Sequence, residues 1–263
     1  MFSLVTLLTC ALLLAQPATA ISNGAASELN ATQPGKEYVI LLHGLGRTAI
    51  SMKLLEWHLQ RRGYSVVNVS YPGTRFSLET LSDIHLQRIL TEHIPDSSAH
   101  IHFVTHSMGG ILLRQYLSNH RIENLGSVVM LAPPNQGSEL IDHLRSNFFT
   151  SKILGPAGME LGTGDNDLPQ RLGKVGVNCG IIAGDRSLNP LLSSVFLSPN
   201  DGKVSVERTK IEGMSDFIIL HSTHTWIMCR RQTTHQVLSF LQTGHFDHIG
   251  FEATRPQTHL QRL

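Results

Sequence analysis

The chain carries almost no net charge: 21 Lys and Arg against 20 Asp and Glu leave a formal +1 at neutral pH. It has no run of Lys or Arg. Nucleic acid and anionic membrane surfaces are bound largely through such clusters, so neither is expected as a partner. The longest apolar run, Leu4 to Ala15, is broken by Thr and Cys. It falls short of the about 20 apolar residues that a spanning helix needs, so no stable membrane span is expected. Cysteine is scarce, with three in all. They do not cluster, and no helical pair of histidines brackets a carboxylate, which argues against a zinc site. There is no internal repeat and no low-complexity segment. What remains is a chain of 263 residues, 41% hydrophobic and 16% charged, long enough for one globular domain with a sizeable core.

The N-terminus reads as an export leader: the apolar run, then Pro17, then Ala18-Thr19-Ala20 as a small-residue cleavage site. It lacks a basic n-region. Cleavage near Ala20 implies a periplasmic or secreted protein; the alternative is lipidation at Cys10. A small, polar linker follows over residues 21–36, and the domain is expected over 37–243. After cleavage only Cys179 and Cys229 remain. An oxidising compartment would permit a bridge between them, and the alternative is two reduced thiols, one in a core strand and one on a helix face.

Within the domain, apolar runs alternate with helical spacing. Strands are expected at Tyr38–Leu42, Tyr64–Ser70, Ile101–Val104, Ser127–Leu131, Asn178–Ala183 and Phe217–Leu220. Helices are expected over Ile50–Arg62, with Leu54, Leu55 and Leu59 on one side, over Leu78–Ile94, from Gly109 to about Asn119, over Glu139–Arg145, and over Thr225–Leu241. Residues 147–177 read as one long irregular, cap-like insertion whose Phe148, Phe149, Ile153, Leu154, Met159 and Leu161 offer an acyl pocket. Residues 244–263 read as a polar, loosely held tail. Strands alternating with helices of this length imply a minimal, mostly parallel sheet of about six strands with helices on both faces, an α/β fold. Reactive groups in such sheets gather beyond the carboxyl ends of the strands.

One stretch organises the rest. Ile101-His-Phe-Val104 runs into Thr105-His106-Ser107-Met108-Gly109, and a helix opens at Gly109. Strand, sharp turn and helix form the setting of a G-x-S-x-G nucleophile elbow, with Thr105 standing where the first glycine is usual. The turn demands small neighbours, and the helix directs its N-terminal amides at developing negative charge. A serine hydroxyl needs a base, and the base an orienting carboxylate. After Ser107, the acids beside strands are Asp185, Asp201 and Asp216, and the bases beyond the last strand are His221 and His224. Asp216 precedes its strand and so belongs to the opposite edge of the sheet. His102 and His106 read as packing or hydrogen-bonding residues beside the turn.

These blocks resemble the α/β-hydrolase fold, and within it the compact bacterial lipases and esterases. Those proteins likewise carry A-H-S-M-G-G at the elbow, His-Gly after the first strand (here His43-Gly44), and an acid, last strand and histidine in the order Asp201-Gly-Lys-Val204, Ile218–Leu220, His224. The likeness runs from about Tyr38 to Leu241 and is thin between Arg145 and Val177. It implies Ser107 as nucleophile, His224 as base and Asp201 as acid, with Asp185 and His221 as the rivals. The backbone amides of Leu45 and Met108 would form the oxyanion hole. The implied activity is hydrolysis of carboxylic esters, small-molecule or lipid, without a cofactor. The same machinery would serve an acyltransferase, thioesterase or amidase, and a relative that only binds its ligand is the reading from another class.

Overall fold

The computed structural model describes residues 36–96, 98–188 and 193–250. The leader read over residues 1–20, nearly all of the linker, and residues 251–263 of the tail lie outside them. Six strands, β1 (Glu37–Leu42), β2 (Ser65–Asn68), β3 (His100–His106), β4 (Leu125–Leu131), β5 (Cys179–Gly184) and β6 (Asp216–Leu220), form one sheet in the order β2-β1-β3-β4-β5-β6. Every pairing is parallel. The order reverses between β1 and β3, which puts the crevice for a ligand beyond the carboxyl ends of those strands.

The helices are α1 (Lys53–Gln60), α2 (Leu78–Thr80), α3 (Gln87–His93), α4 (Met108–Asn119), α5 (Glu139–Arg145), α6 (Phe148–Met159), α7 (Leu168–Arg171), α8 (Val206–Thr209) and α9 (Arg231–Thr243). Among the described residues none is long and apolar enough to cross a membrane. The inner strands β1, β3, β4 and β5 are buried over most of their length because both faces are covered, whereas the edge strands β2 and β6 are half-buried. Along β1, Tyr38, Ile40 and Leu42 join one core with Phe103, Ile111, Leu112 and Met130. Val39 and Leu41 turn to the other, with Leu55, Leu59, Val129, Val237 and Phe240. One α/β layer thus has two cores, and the period-two geometry of a strand sends successive residues to each.

Several boundaries differ from the sequence expectation. The helix expected over Ile50–Arg62 begins as a 3-10 turn, Ala49–Met52, and Leu54 points to solvent while Leu55 and Leu59 are buried. The helix over Leu78–Ile94 is continuous but carries a π turn at Leu81–Leu86 between α2 and α3. The closing helix does not start at Thr225: a 3-10 turn, Ile227–Cys229, and extended Arg230 precede α9. Residues 147–177, expected to be irregular throughout, hold two helices joined and followed by irregular chain. The Asn147 side chain accepts from the Phe149 amide and starts α6, and α7 follows. What hid α6 is its break: Gly155 sits at φ 64°, ψ −179°, followed by Pro156. A Cβ at Gly155 would lie 1.9 Å from the Thr74 carbonyl oxygen. Only glycine fits there.

Beyond α9 the chain is held down at first. Phe246 is buried against Phe240, and Asp216 accepts from the Phe246 amide and pairs with His248. Asp216 therefore works at the amino end of β6, away from the elbow. Cys179 and Cys229 are both free thiols. Cys179 belongs to one core and Cys229 packs on the other, so the sheet separates them. Burial pushes the Cys179 thiol up to about 12.

Candidate active site

Ser107 sits between β3 and α4 at φ 54°, ψ −124°, a conformation that non-glycine residues rarely adopt. Its amide is tied to the Leu131 carbonyl at 2.9 Å, so the neighbouring strand holds the turn. The elbow's glycines answer to particular obstacles. A Cβ at Gly109 would come within 2.5 Å of the Leu42 carbonyl oxygen, and one at Gly110 within 3.2 Å of Thr105 Oγ1. Gly110 thereby accommodates the side chain of Thr105, the residue that departs from the usual motif. Thr105 is fully buried as the penultimate residue of β3.

His224 lies beyond β6 and reaches back over the turn. Its Nε2 is 2.9 Å from Ser107 Oγ, and its Nδ1 is 2.7 Å from Asp201 Oδ2. Both His224 and Asp201 are buried, while Ser107 is partly exposed. The pattern sets the tautomer. A carboxylate opposite Nδ1 calls for a proton there, which leaves the Nε2 lone pair facing a hydroxyl that donates to it. Asp201 Oδ1 accepts from the Lys203 and Val204 amides at 2.9 and 2.8 Å, and its carbonyl accepts from the His224 amide at 3.0 Å. The acid is thus immobilised at both oxygens.

Asp185 and His221 form a pair of their own, 2.9 Å apart, with the His221 side chain 71% exposed. Asp201 follows the end of β5 by many more residues than Asp185 does, yet it is the one folded back over that end. A Cβ at Gly184 would lie 2.9 Å from Asp201 Cβ and 2.6 Å from the Ser222 carbonyl oxygen. The bare strand tip admits the loop.

The loop after β1 carries Leu45, and Met108 opens α4, where a first-turn amide has no partner within the helix. A contact missed in the sequence fixes this loop. Tyr71, in the loop after β2, stacks on His43 with ring centroids 3.9 Å apart, donates its amide to His43 Nε2 at 3.2 Å, and donates its hydroxyl to the His43 carbonyl. His43 Nδ1 then carries the proton and donates to the Gly44 carbonyl at 3.0 Å. Gly44 has its own reason: a Cβ there would lie 2.9 Å from His106 Nδ1.

A cavity of about 140 Å³ opens beside Ser107 and His224. Of the residues expected to line an acyl pocket, Leu154 and Leu161 do so. Phe148, Phe149 and Ile153 instead point outward, each more than 60% exposed, because α6 turns only one face to the domain. Met159 packs on the core. The wall is completed by Leu140, Ile141 and Leu144 of α5, which sequence spacing could not separate from ordinary core residues. Arg47 and Lys203 also line the cavity. Neither was singled out in the sequence, where Lys203 reads only as a spacer after Asp201.

His106 is buried with its Nε2 on the His224 carbonyl at 3.0 Å, an interaction that requires the proton on Nε2. Burial, then the neighbouring His224 and Arg47, hold its pKa well below the ordinary value. Burial likewise lowers His43 and His102. The unfolded chain binds protons that these folded sites refuse. Their stability contribution is therefore complete above about pH 6.5, the unfolded histidine value, and is lost as pH falls below it, by up to about 1.4 kcal/mol per pH unit for each group. Urea midpoints are expected to drop from about pH 7.5 to about pH 5; a flat profile would contradict the assignment of these rings as neutral.

The fold has counterparts among solved structures. A lipase of Bacillus licheniformis in its mature form matches with a TM-score of 0.64 at 18% identity, over 80% of this chain and 93% of that one. A phospholipase of Legionella pneumophila matches with a TM-score of 0.53 at 20% identity, over 67% of this chain and 45% of that one. A metagenomic carboxyl esterase matches with a TM-score of 0.56 at 18% identity, over 74% and 66%. At these identities the likeness is one of fold. No curated protein sequence matches. From Val39 in β1 to Thr209 at the end of α8, however, the sequence fits the profile of the alpha/beta hydrolase family, and with its parallel sheet and its serine turn between β3 and α4 the chain belongs to that family.

Proposed function

We propose that the protein is a serine hydrolase that cleaves carboxylic esters through an acyl-enzyme. One observation carries the reading: the unbroken hydrogen-bonded line from Asp201 through His224 to Ser107, at 2.7 and 2.9 Å. In this mechanism Ser107 Oγ attacks the ester carbonyl as its proton passes to His224 Nε2. The carbonyl oxygen becomes an oxyanion facing the Leu45 and Met108 amides, where one such donor is worth about 3 to 4 kcal/mol. Asp201 keeps the ring oriented and supports the imidazolium. Collapse of the intermediate breaks the ester bond, the alcohol leaves with the proton from Nε2, and Ser107 retains the acyl group. A water molecule, deprotonated by His224, then releases the carboxylic acid and restores the hydroxyl.

The small cavity, walled by Leu140, Ile141, Leu154 and Leu161, favours short acyl chains. With chromogenic esters from acetate to palmitate, run beside emulsified triglyceride, activity is expected to peak at short chains and to fall by about tenfold or more at palmitate. Labelling of Ser107 by a fluorophosphonate is the companion measurement. Folded protein that cleaves none of the esters and takes up no label is a binding protein, and this reading ends there.

A further inference from the structure

Two arginines at α5 are matched by acids, whereas among the described residues two cations at the cavity are not. Arg145 is paired with Asp142 and Asp167, and Arg208 with Glu139. Arg47 and Lys203 line the cavity beside Ser107 and His224, and among the described residues neither has a carboxylate at ion-pair distance. The guanidinium of Arg47 donates to the Thr225 carbonyl at 3.4 Å. Asp201, the acid nearest to Lys203 in the chain, is consumed by His224 and by two backbone amides. The two cations enter from different loops, one after β1 and one after β5, so their meeting is a product of the fold.

Such a pair is costly alone. Lys203 remains open to solvent, yet the protein packed around its amine, and then Arg47, lower it below the ordinary value against the opposing pull of Asp201, and both cations weigh on the protonation of His106. A bound anion between them removes that repulsion. The remaining wall is of opposite character, with Leu140, Ile141, Leu144 and Leu154. The lining of one cavity therefore combines an apolar wall with two cations.

We propose that the site selects esters with an apolar acyl chain and an anionic alcohol part, its phosphate or carboxylate held by Arg47 and Lys203. This rests on the hydrolase reading above. The reaction is the same hydrolysis: water cleaves the carboxylic ester, and the anionic group leaves on the alcohol without itself being broken.

The test uses the full chain and substrate pairs that share the acyl chain and differ by one anionic group on the alcohol part. Hexanoylglycerol is compared with hexanoylglycerol phosphate, and propyl hexanoate with 3-hexanoyloxypropanoate, reading kcat/KM from hexanoate release. The expected preference for the anionic member is about tenfold at low salt, shrinking severalfold in about 0.5 M NaCl as the charges are screened. Arg47→Gln with Lys203→Gln lowers the anionic-to-neutral ratio by about tenfold, and Arg47→Lys retains most of it. Preference in the phosphate pair alone identifies a phosphate ester as substrate, and preference in the carboxylate pair alone identifies a carboxylate. The salt series on the unaltered protein reads the same ratio if the variants fold poorly. Neutral esters cleaved with a ratio near one, unmoved by salt or by either substitution, overturn the proposal and leave the hydrolase intact. No cleavage of any ester and no fluorophosphonate label overturns the hydrolase reading itself.

Discussion

Ser107→Ala is expected to fold normally and to lose about 10⁵- to 10⁶-fold in kcat, because the substitution removes the attacking atom and nothing else within reach replaces it. The fold should tolerate the change. Ser107 is partly exposed, and its strained backbone is held by the Leu131 carbonyl and by close approach of Gly109 to β1, not by the hydroxyl. The measurement is the ester turnover of purified variant beside its thermal unfolding. A stable variant that keeps more than about one hundredth of the activity means that another group attacks the ester. Loss of both activity and folding would leave fluorophosphonate labelling of the unaltered protein, followed by peptide mapping, as the discriminating observation.

Asp201→Asn should cost about 10⁴-fold in kcat. The carboxylate has no spare face: one oxygen accepts from His224 Nδ1 and the other from the Lys203 and Val204 amides. An amide in the same place must direct its NH₂ either at the ring, which forces the proton onto Nε2 and removes the lone pair facing Ser107, or at two backbone donors. The first disables the ring's service to the hydroxyl, and the second sets an NH₂ against two N–H donors, so the first is expected to prevail. Asp185→Asn is the control, expected to change kcat less than about twofold, since its partner His221 is exposed and does not face Ser107. A collapse of activity in Asp185→Asn with little effect in Asp201→Asn would transfer the acid role to Asp185.

The contrast between these two aspartates illustrates the reach of the sequence. Both follow β5, and both have a histidine beyond β6 as a possible mate. Their different environments depend on Gly184, whose missing side chain lets the Asp201 loop close over the strand end. No local pattern announces that contact. The same applies to α6. Its helical character was obscured by Gly155-Pro156, and the reason for glycine there is the carbonyl of Thr74, in a distant part of the chain. Tyr71 is a third case, since its stacking on His43 joins two loops that the sequence shows only as separate strand ends.

By itself the sequence determined the six strands, their alternation with helices, and a serine turn between the third strand and its helix. These are local properties: continuous apolar runs mark strands covered on both faces, and a strained turn needs small residues beside it. The tertiary structure alone decided which acid meets which histidine, which face of α6 turns inward, and that Arg47 and Lys203 share one cavity. Those outcomes depend on close approaches between segments distant along the chain, where a missing Cβ or one stacked ring selects among arrangements that local propensity leaves equal.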